Sequence, residues 1–140
     1  MKTSIHSIFS IILAVILYPI FGWKVELIVA GGVLIDVDHY LWYIYKYNNL
    51  NLLDCYRHYL NRMDRKGIME NIGILLLFHT IEFFLLMAIL SLYVEEFFIF
   101  TIGLIAHYFL DLIYLYYVPK RFIANHSVIS WIIANKIQKV

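Results

Sequence analysis

The sequence predicts an all-α, polytopic membrane protein, and three features of its composition indicate this class. Of the 140 residues, 63% are hydrophobic and 15% are charged, whereas roughly 25% are charged in an average soluble domain. The mean hydropathy of +0.77 excludes a disordered chain. Only 6 Gly and 2 Pro interrupt the chain, so long helices are expected rather than a strand-rich barrel. The near balance of 11 basic and 10 acidic residues excludes the strong positive field of a nucleic-acid-binding protein.

Four apolar stretches are long enough to cross the membrane as helices, which takes about 20 residues at 1.5 Å per residue. They are expected at residues 5–21, 25–45, 72–93 and 97–118. The first is interpreted as a retained helix, because no small-residue cleavage site of the kind that ends a signal peptide follows it. The whole chain, 1–140, is predicted to form a single membrane domain.

Two further segments are expected to lie on the cytoplasmic surface of the membrane as amphipathic helices. Apolar residues recur at helical spacing in residues 50–66, and Asn51 is placed to cap the start of this helix. A second apolar stripe runs through residues 122–138, where interspersed polar residues argue against a fifth span. The prediction is therefore four transmembrane helices with one or two interfacial helices.

The basic residues predict the orientation of these spans. Ten of the 11 Lys and Arg residues fall on one side of a four-span arrangement, and only Lys24 falls on the other. Cytoplasmic segments carry the excess of basic residues in membrane proteins. Both termini are therefore predicted to be cytoplasmic, with the protein in the cell membrane.

Besides Glu26 at the start of the second span, eight His, Asp and Glu side chains lie within the predicted spans, where they are costly. Four of them are carboxylates, which together cost on the order of 10 kcal/mol unless cations or protons neutralise them. No Lys or Arg lies within the same spans to do so. The eight residues are His6, Asp36, Asp38, His39, His79, Glu82, His107 and Asp111.

Three of the predicted helices each carry one imidazole and one carboxylate on the same face, three or four residues apart. The rise per residue places these pairs near the midplane or in the cytoplasmic half, so one cavity open to the cytoplasm would collect them. His6 would form the rim of this cavity. The pairs are Asp36 with His39, His79 with Glu82, and His107 with Asp111.

Gly32 and Gly103 stand one turn before two of these pairs. They are predicted to let neighbouring helices approach closely. Asp38 would point about 200° away from Asp36 on a straight helix. It is therefore either a hydrogen-bond partner of a metal ligand or a sign that the helix is irregular there.

Imidazoles and carboxylates without thiolates suit a divalent metal, with Zn expected and Mn, Fe or Mg as alternatives. The candidates exceed the needs of one ion, so one or two ions are expected, and two would clamp a phosphoester and activate a water. Asp38 or Glu82 is the expected general base. The predicted ligands are His6, Asp36, His39, His79, Glu82, His107 and Asp111.

At these residues the sequence resembles the small integral-membrane metal-dependent hydrolases, which include the LexA-regulated inner-membrane hydrolases. That family has a His opening its first helix, as His6 does here, and an L-P-D-x-D-H block, for which residues 34–39 read L-I-D-V-D-H. Its late G-x-x-x-H-x-x-x-D matches residues 103–111, whereas its central H-R-G-x-T-H-S block is represented only by His79 and Thr80. The resemblance implies metal-dependent hydrolysis. A looser similarity to the ligand pairs of zinc-dependent phospholipases C implies a lipid phosphoester.

The expected function is hydrolysis of an ester or phosphoester of a membrane lipid by a metal-activated water. No Ser nucleophile elbow or Gly-rich phosphate loop competes with this interpretation. Membrane lipid is the expected partner, nucleic acid is not, and a homodimer is allowed. Two other classes stay open: a transporter of divalent metal or protons that uses the same residues, and a catalytically silent, metal-stabilised membrane module.

Overall fold

The computed structural model describes residues 3–64, 75–117 and 127–137, and this part of the chain is almost entirely helical. The predicted all-α class is confirmed, since these ranges contain no β-strand. Some residues of the predicted segments lie outside the described ranges, namely 65–66, 72–74, 118, 122–126 and 138. The helices are α1 (Thr3–Phe21), α2 (Glu26–Val33), α3 (Val37–Tyr47), α4 (Leu52–Asp64), α5 (Ile81–Leu90), α6 (Glu95–Tyr117) and α7 (Val128–Ile137).

Helices α1 and α2 form a hairpin that turns through a short 3₁₀-helix, Gly22–Val25. Gly22 has a φ of +56°, a conformation that glycine adopts more easily than other residues. In the same turn, Lys24 makes ion pairs with Glu95 at 2.5 Å and Glu96 at 3.0 Å. These surface contacts connect the hairpin turn to the start of α6.

Two helical stretches, Thr3–Tyr47 and Glu95–Tyr114, are long and apolar enough to cross a membrane. The first includes the hairpin turn, so α1 corresponds to the span predicted at 5–21 and α2 with α3 to the span predicted at 25–45. The second corresponds to the span predicted at 97–118.

The helix predicted over 72–93 is wrong over much of its length, because α5 comprises only ten residues, Ile81–Leu90. Leu76 and Thr80 have extended backbones on either side of the 3₁₀-helix Leu77–His79. Polar contacts stabilise this irregular backbone. The Phe78 amide donates to Asp38 at 3.1 Å, and the Thr80 hydroxyl caps α5 by accepting from the Phe83 amide at 3.3 Å.

Helices α4 and α7 lie within the two segments predicted to be amphipathic. Asn51 caps α4 as predicted, since its side-chain oxygen accepts from the amides of Leu53 at 2.9 Å and Asp54 at 3.3 Å. The single cysteine, Cys55, is buried on α4, and this burial raises the pKa of its thiol. The Tyr59 hydroxyl donates to the His39 carbonyl at 3.0 Å, which fixes α4 against α3.

Glycines allow the close contact between α2 and α6 that was predicted from Gly32 and Gly103. A Cβ added to Gly103 would overlap the carbonyl oxygen of Ile28 and lie 2.9 Å from the Gly32 amide nitrogen. A Cβ added to Gly31 would overlap the Phe100 carbonyl oxygen in the same way. The backbones of α2 and α6 therefore touch at Gly103, one turn before His107.

Candidate metal centre

His107, on α6, is fixed by the backbone of α2. Its Nδ1 lies 2.8 Å from the carbonyl oxygen of Gly32, and the imidazole is buried. A carbonyl oxygen can only accept a hydrogen bond, so Nδ1 carries the proton and donates it. In the neutral imidazole, Nε2 then presents a lone pair to the interior of the helix cluster.

His79 is fixed in the same way by a carboxylate. Its Nδ1 lies 2.9 Å from Asp38 Oδ2 and donates to it, because an ionised carboxylate only accepts. The Phe78 amide donates to the same oxygen at 3.1 Å and holds the irregular segment before α5 against α3. The Nε2 of His79 is therefore also left with its lone pair.

These two lone pairs face each other, since the Nε2 atoms of His79 and His107 are 3.4 Å apart. Two carboxylates approach the same place. Asp111 Oδ2 lies 3.3 Å and Asp36 Oδ1 3.6 Å from His107 Nε2. Three electron-rich atoms thus lie within 3.6 Å of His107 Nε2, and they repel it unless a cation or a proton lies between them.

The separations between these atoms fit a metal ion. Two ligands at about 2.1 Å from one ion in tetrahedral geometry are about 3.4 Å apart, and the three distances above run from 3.3 to 3.6 Å. Hydrogen bonding of each Nδ1 to a carboxylate or carbonyl is the usual way in which metal-binding imidazoles are oriented. The residues present therefore fit a divalent metal.

His6 provides a second donor set at the same place. Its ring is 1% exposed and stacks on His107 with the centroids 3.8 Å apart. Its Nε2 lies 3.2 Å from Asp111 Oδ1. The expectation that His6 forms the rim of the cavity is wrong, because α1 packs it into the interior.

Asp38 lies at the centre of the third donor set. The carboxylate is 3% exposed and accepts from the Nδ1 atoms of His39 and His79, each at 2.9 Å. His39 Nδ1 is also 3.6 Å from Asp36 Oδ1. Both alternatives predicted for Asp38 hold: it partners imidazoles, and the helix is irregular, since the 3₁₀-helix Leu34–Asp36 separates α2 from α3.

The described part of the chain thus contains three overlapping groups of His and Asp that could hold a metal ion. Within each group the ligand atoms lie within 4.8 Å of one another. The groups are His6 with His107 and Asp111, Asp36 with His79 and His107, and Asp38 with His39 and His79.

Glu82 is the one predicted ligand that these groups do not include. Its carboxylate accepts from the Ser127 hydroxyl at 2.7 Å and from the amides of Val128 at 3.2 Å and Ile129 at 3.4 Å, at the start of α7. The prediction that His79 and Glu82 share a helix face is wrong, because α5 begins only at Ile81. His79 precedes the helix and turns towards Asp38 instead.

Sequence reasoning missed the backbone groups that orient the imidazoles. The Gly32 carbonyl and the Phe78 amide carry no side-chain signal. The start of α5 did have a signal in the sequence. Thr80 stands directly before an apolar run, as the capping residue of a helix does.

A cavity of about 510 Å³ opens beside the centre. His79 belongs both to the cavity wall and to the centre, so a molecule in the cavity reaches the converging donors along this side chain. The lining residues are His79, Ile81, Phe84, Tyr108, Ser127 and Ser130.

Replacing Asp38 by Asn is expected to weaken metal binding without removing a donor from the group of Asp36, His79 and His107. The amide of Asn cannot accept from both imidazoles and from the Phe78 amide as the carboxylate does, so His79 loses its fixed orientation. We expect a loss of metal affinity of about 10- to 100-fold, as for other residues that orient ligands. Competition with a chelator of known affinity measures it, and unchanged affinity would show that Asp38 does not position His79.

Comparison of the chain with models of protein families, with curated proteins and with solved structures finds no match. The sequence motifs and the geometry of the centre are therefore the observations on which a function can be argued.

Proposed function

We propose that the protein is a membrane-embedded, metal-dependent hydrolase that acts on an ester or phosphoester, in a lipid substrate. One observation carries the proposal: His79 Nε2 and oxygens of Asp36 and Asp111 each lie 3.3 to 3.6 Å from His107 Nε2, a spacing that suits ligands of a metal ion. The centre lies beside a cavity large enough for a ligand. Zn is the proposed metal, because imidazole and carboxylate donors both suit it.

The exterior of the helices supports a location in the membrane. Large apolar side chains are exposed along α1 and α6, for example Val15 at 69% and Phe109 at 57%. Such continuous apolar surface is rare on soluble monomers. We propose that α1, α2 with α3, and α6 cross the bilayer, and that the chain returns through α5.

Helix α5 is too short to span the hydrocarbon core alone, since ten residues rise only about 15 Å. Irregular backbone is tolerated at membrane depth where protein covers it, and Leu76, His79 and Thr80 are buried. This arrangement supports four crossings with both termini in the cytoplasm, which agrees with the excess of basic residues on that side.

When bound, a divalent metal supplies a Lewis acid and makes water a nucleophile near neutral pH. The chain's own residues hold and orient the donors: Gly32 and Asp38 fix the Nδ1 protons of His107 and His79. The two groups expected as general bases, Asp38 and Glu82, have their oxygens engaged in hydrogen bonds. We therefore assign proton transfer to Asp36, whose side chain is 20% exposed and can be reached by water.

Turnover by purified protein in lipid nanodiscs tests this proposal. The protein is stripped with a chelator, reloaded with Zn²⁺, Mn²⁺ or Mg²⁺, and offered a p-nitrophenyl ester and a p-nitrophenyl phosphodiester. We expect hydrolysis of at least one substrate that returns with metal and is lost in Asp111→Asn. Asp54→Asn serves as the control, because Asp54 lies on α4 outside the three donor groups.

The same preparation distinguishes the alternatives. Stoichiometric metal without any turnover would overturn the hydrolase proposal. Uptake of the metal into proteoliposomes would then favour a transporter, and its absence would favour a silent, metal-stabilised module.

A further inference from the structure

The cavity beside the centre has apolar walls. Ile81 and Phe84 of α5 and Tyr108 of α6 line it, and the Phe84 and Tyr108 rings pack edge to face with centroids 5.0 Å apart. The volume of about 510 Å³ falls within the range of small-molecule sites. His79 lines the cavity and also belongs to the donor groups. An alkyl chain that lies against the apolar walls would therefore have one end beside these donors.

A negative charge lies beside the cavity, at the rim formed by Ser127. Ser127 lines the cavity and donates its hydroxyl to Glu82. The Val128 and Ile129 amides at the start of α7, which could otherwise bind a phosphate, also donate to this carboxylate. A phosphate at this rim would therefore meet a like charge at a helix start whose amides are already used.

We propose that this cavity binds the acyl chain of a neutral carboxylic ester, and that Glu82 determines specificity by disfavouring phosphoesters. The inference rests on the proposed function and narrows its substrate class. In the reaction, a bond forms between the water oxygen and the acyl carbon, and the bond from that carbon to the alcohol oxygen breaks. One water proton goes to the alcohol, and the other is released when the carboxylic acid ionises.

Photo-crosslinking can map where the acyl chain of the substrate binds. The protein is embedded in phosphatidylcholine nanodiscs with a hexadecyl glycerol ether that bears a diazirine on its alkyl chain, a neutral probe that cannot be hydrolysed. We expect peptide mass spectrometry to find the label at Ile81, Phe84 and Tyr108. Ile81→Trp should fill the cavity and reduce this labelling to background, whereas Ile89→Trp, an equally exposed change on the same helix, should not.

Competition tests the role of the charge. Unlabelled hexadecyl glycerol ether should displace the probe from the wild-type protein better than hexadecyl phosphate does. Glu82→Gln keeps an acceptor for Ser127 and removes the charge, so it should improve competition by hexadecyl phosphate about fivefold or more, because a like-charge pair about 4 Å apart has this effect in bulk water and a larger one near a protein surface. Competition by the neutral ether should not change, and Glu26→Gln, at the start of α2, should change neither.

Labelling spread over the whole apolar exterior, or hexadecyl phosphate that competes as well as the neutral ether with the wild-type protein, would overturn the inference. Crosslinking needs no turnover and no metal. Cavity labelling without hydrolysis would therefore contradict the proposed function alone, and metal-dependent hydrolysis without cavity labelling would contradict the acyl site alone.

Discussion

His107→Gln is expected to lose its bound metal and all metal-dependent hydrolysis. His107 belongs to two of the three donor groups, and its Nε2 lies within 3.6 Å of His79, Asp36 and Asp111 atoms. Gln keeps an N–H donor for the Gly32 carbonyl but lacks the imidazole nitrogen. Because loss of a group that only orients a ligand costs 10- to 100-fold in affinity, loss of the ligand itself should cost more than about 100-fold.

Elemental analysis of the purified protein gives the metal content per chain, and far-UV circular dichroism shows whether the variant is folded. His58→Gln is the matched control, because His58 lies on α4 and packs against Tyr43 and Tyr47 rather than in the donor groups. A folded His107→Gln protein with the metal content of the wild type would contradict the assignment of His107 as a ligand.

Gly103→Ala is expected to cause the largest loss of stability among single methyl additions in the contact of α2 with α6. The new Cβ would overlap the Ile28 carbonyl oxygen and lie 2.9 Å from the Gly32 nitrogen. Both are backbone atoms, so the helices must separate, which also stretches the hydrogen bond from His107 to Gly32. We expect a loss of about 3 kcal/mol or more in the free energy of unfolding, measured by SDS titration in mixed micelles.

Gly32→Ala provides the comparison. Its Cβ would overlap the Ser10 hydroxyl and lie 2.9 Å from Ser10 Cβ. Truncation by Ser10→Gly removes both of these atoms, so the double variant should regain most of the lost stability, whereas no side-chain truncation relieves Gly103→Ala. Wild-type stability in Gly103→Ala would show that the two helices are farther apart than described.

Much of the fold could be predicted from apolar run length, because a helix that faces lipid needs no periodic pattern. This criterion located α1, α2 with α3, and α6. It failed at residues 75–80, which are as apolar as a span but extended or 3₁₀ in conformation. There, the hydrogen bond that the Phe78 amide donates to Asp38 overrides the helical preference, and such a long-range contact cannot be deduced from local composition.

The candidate site was predictable to the extent that charge burial is costly. The presence of His and Asp residues within apolar segments was the criterion that identified the site. The structure brings the residues it selected into the donor groups, namely His6, Asp36, His79, His107 and Asp111. Spacing arguments were less reliable, since they assumed straight helices. They therefore paired Glu82 with His79, although α5 begins between these two residues. They also could not decide between the two alternatives for Asp38.

The assembly of the centre from distant parts of the chain has a consequence for biosynthesis. Asp36 and Asp38 are synthesised first, on the part of the chain that forms α1, α2 and α3, whereas His107 and Asp111 follow on α6. Until α6 packs against Gly31 and Gly32, the early carboxylates have no partner from that helix. In the proposed metal centre, capture of an ion by donors from both parts of the chain would therefore be a late step, which follows the packing of α6 and stabilises it.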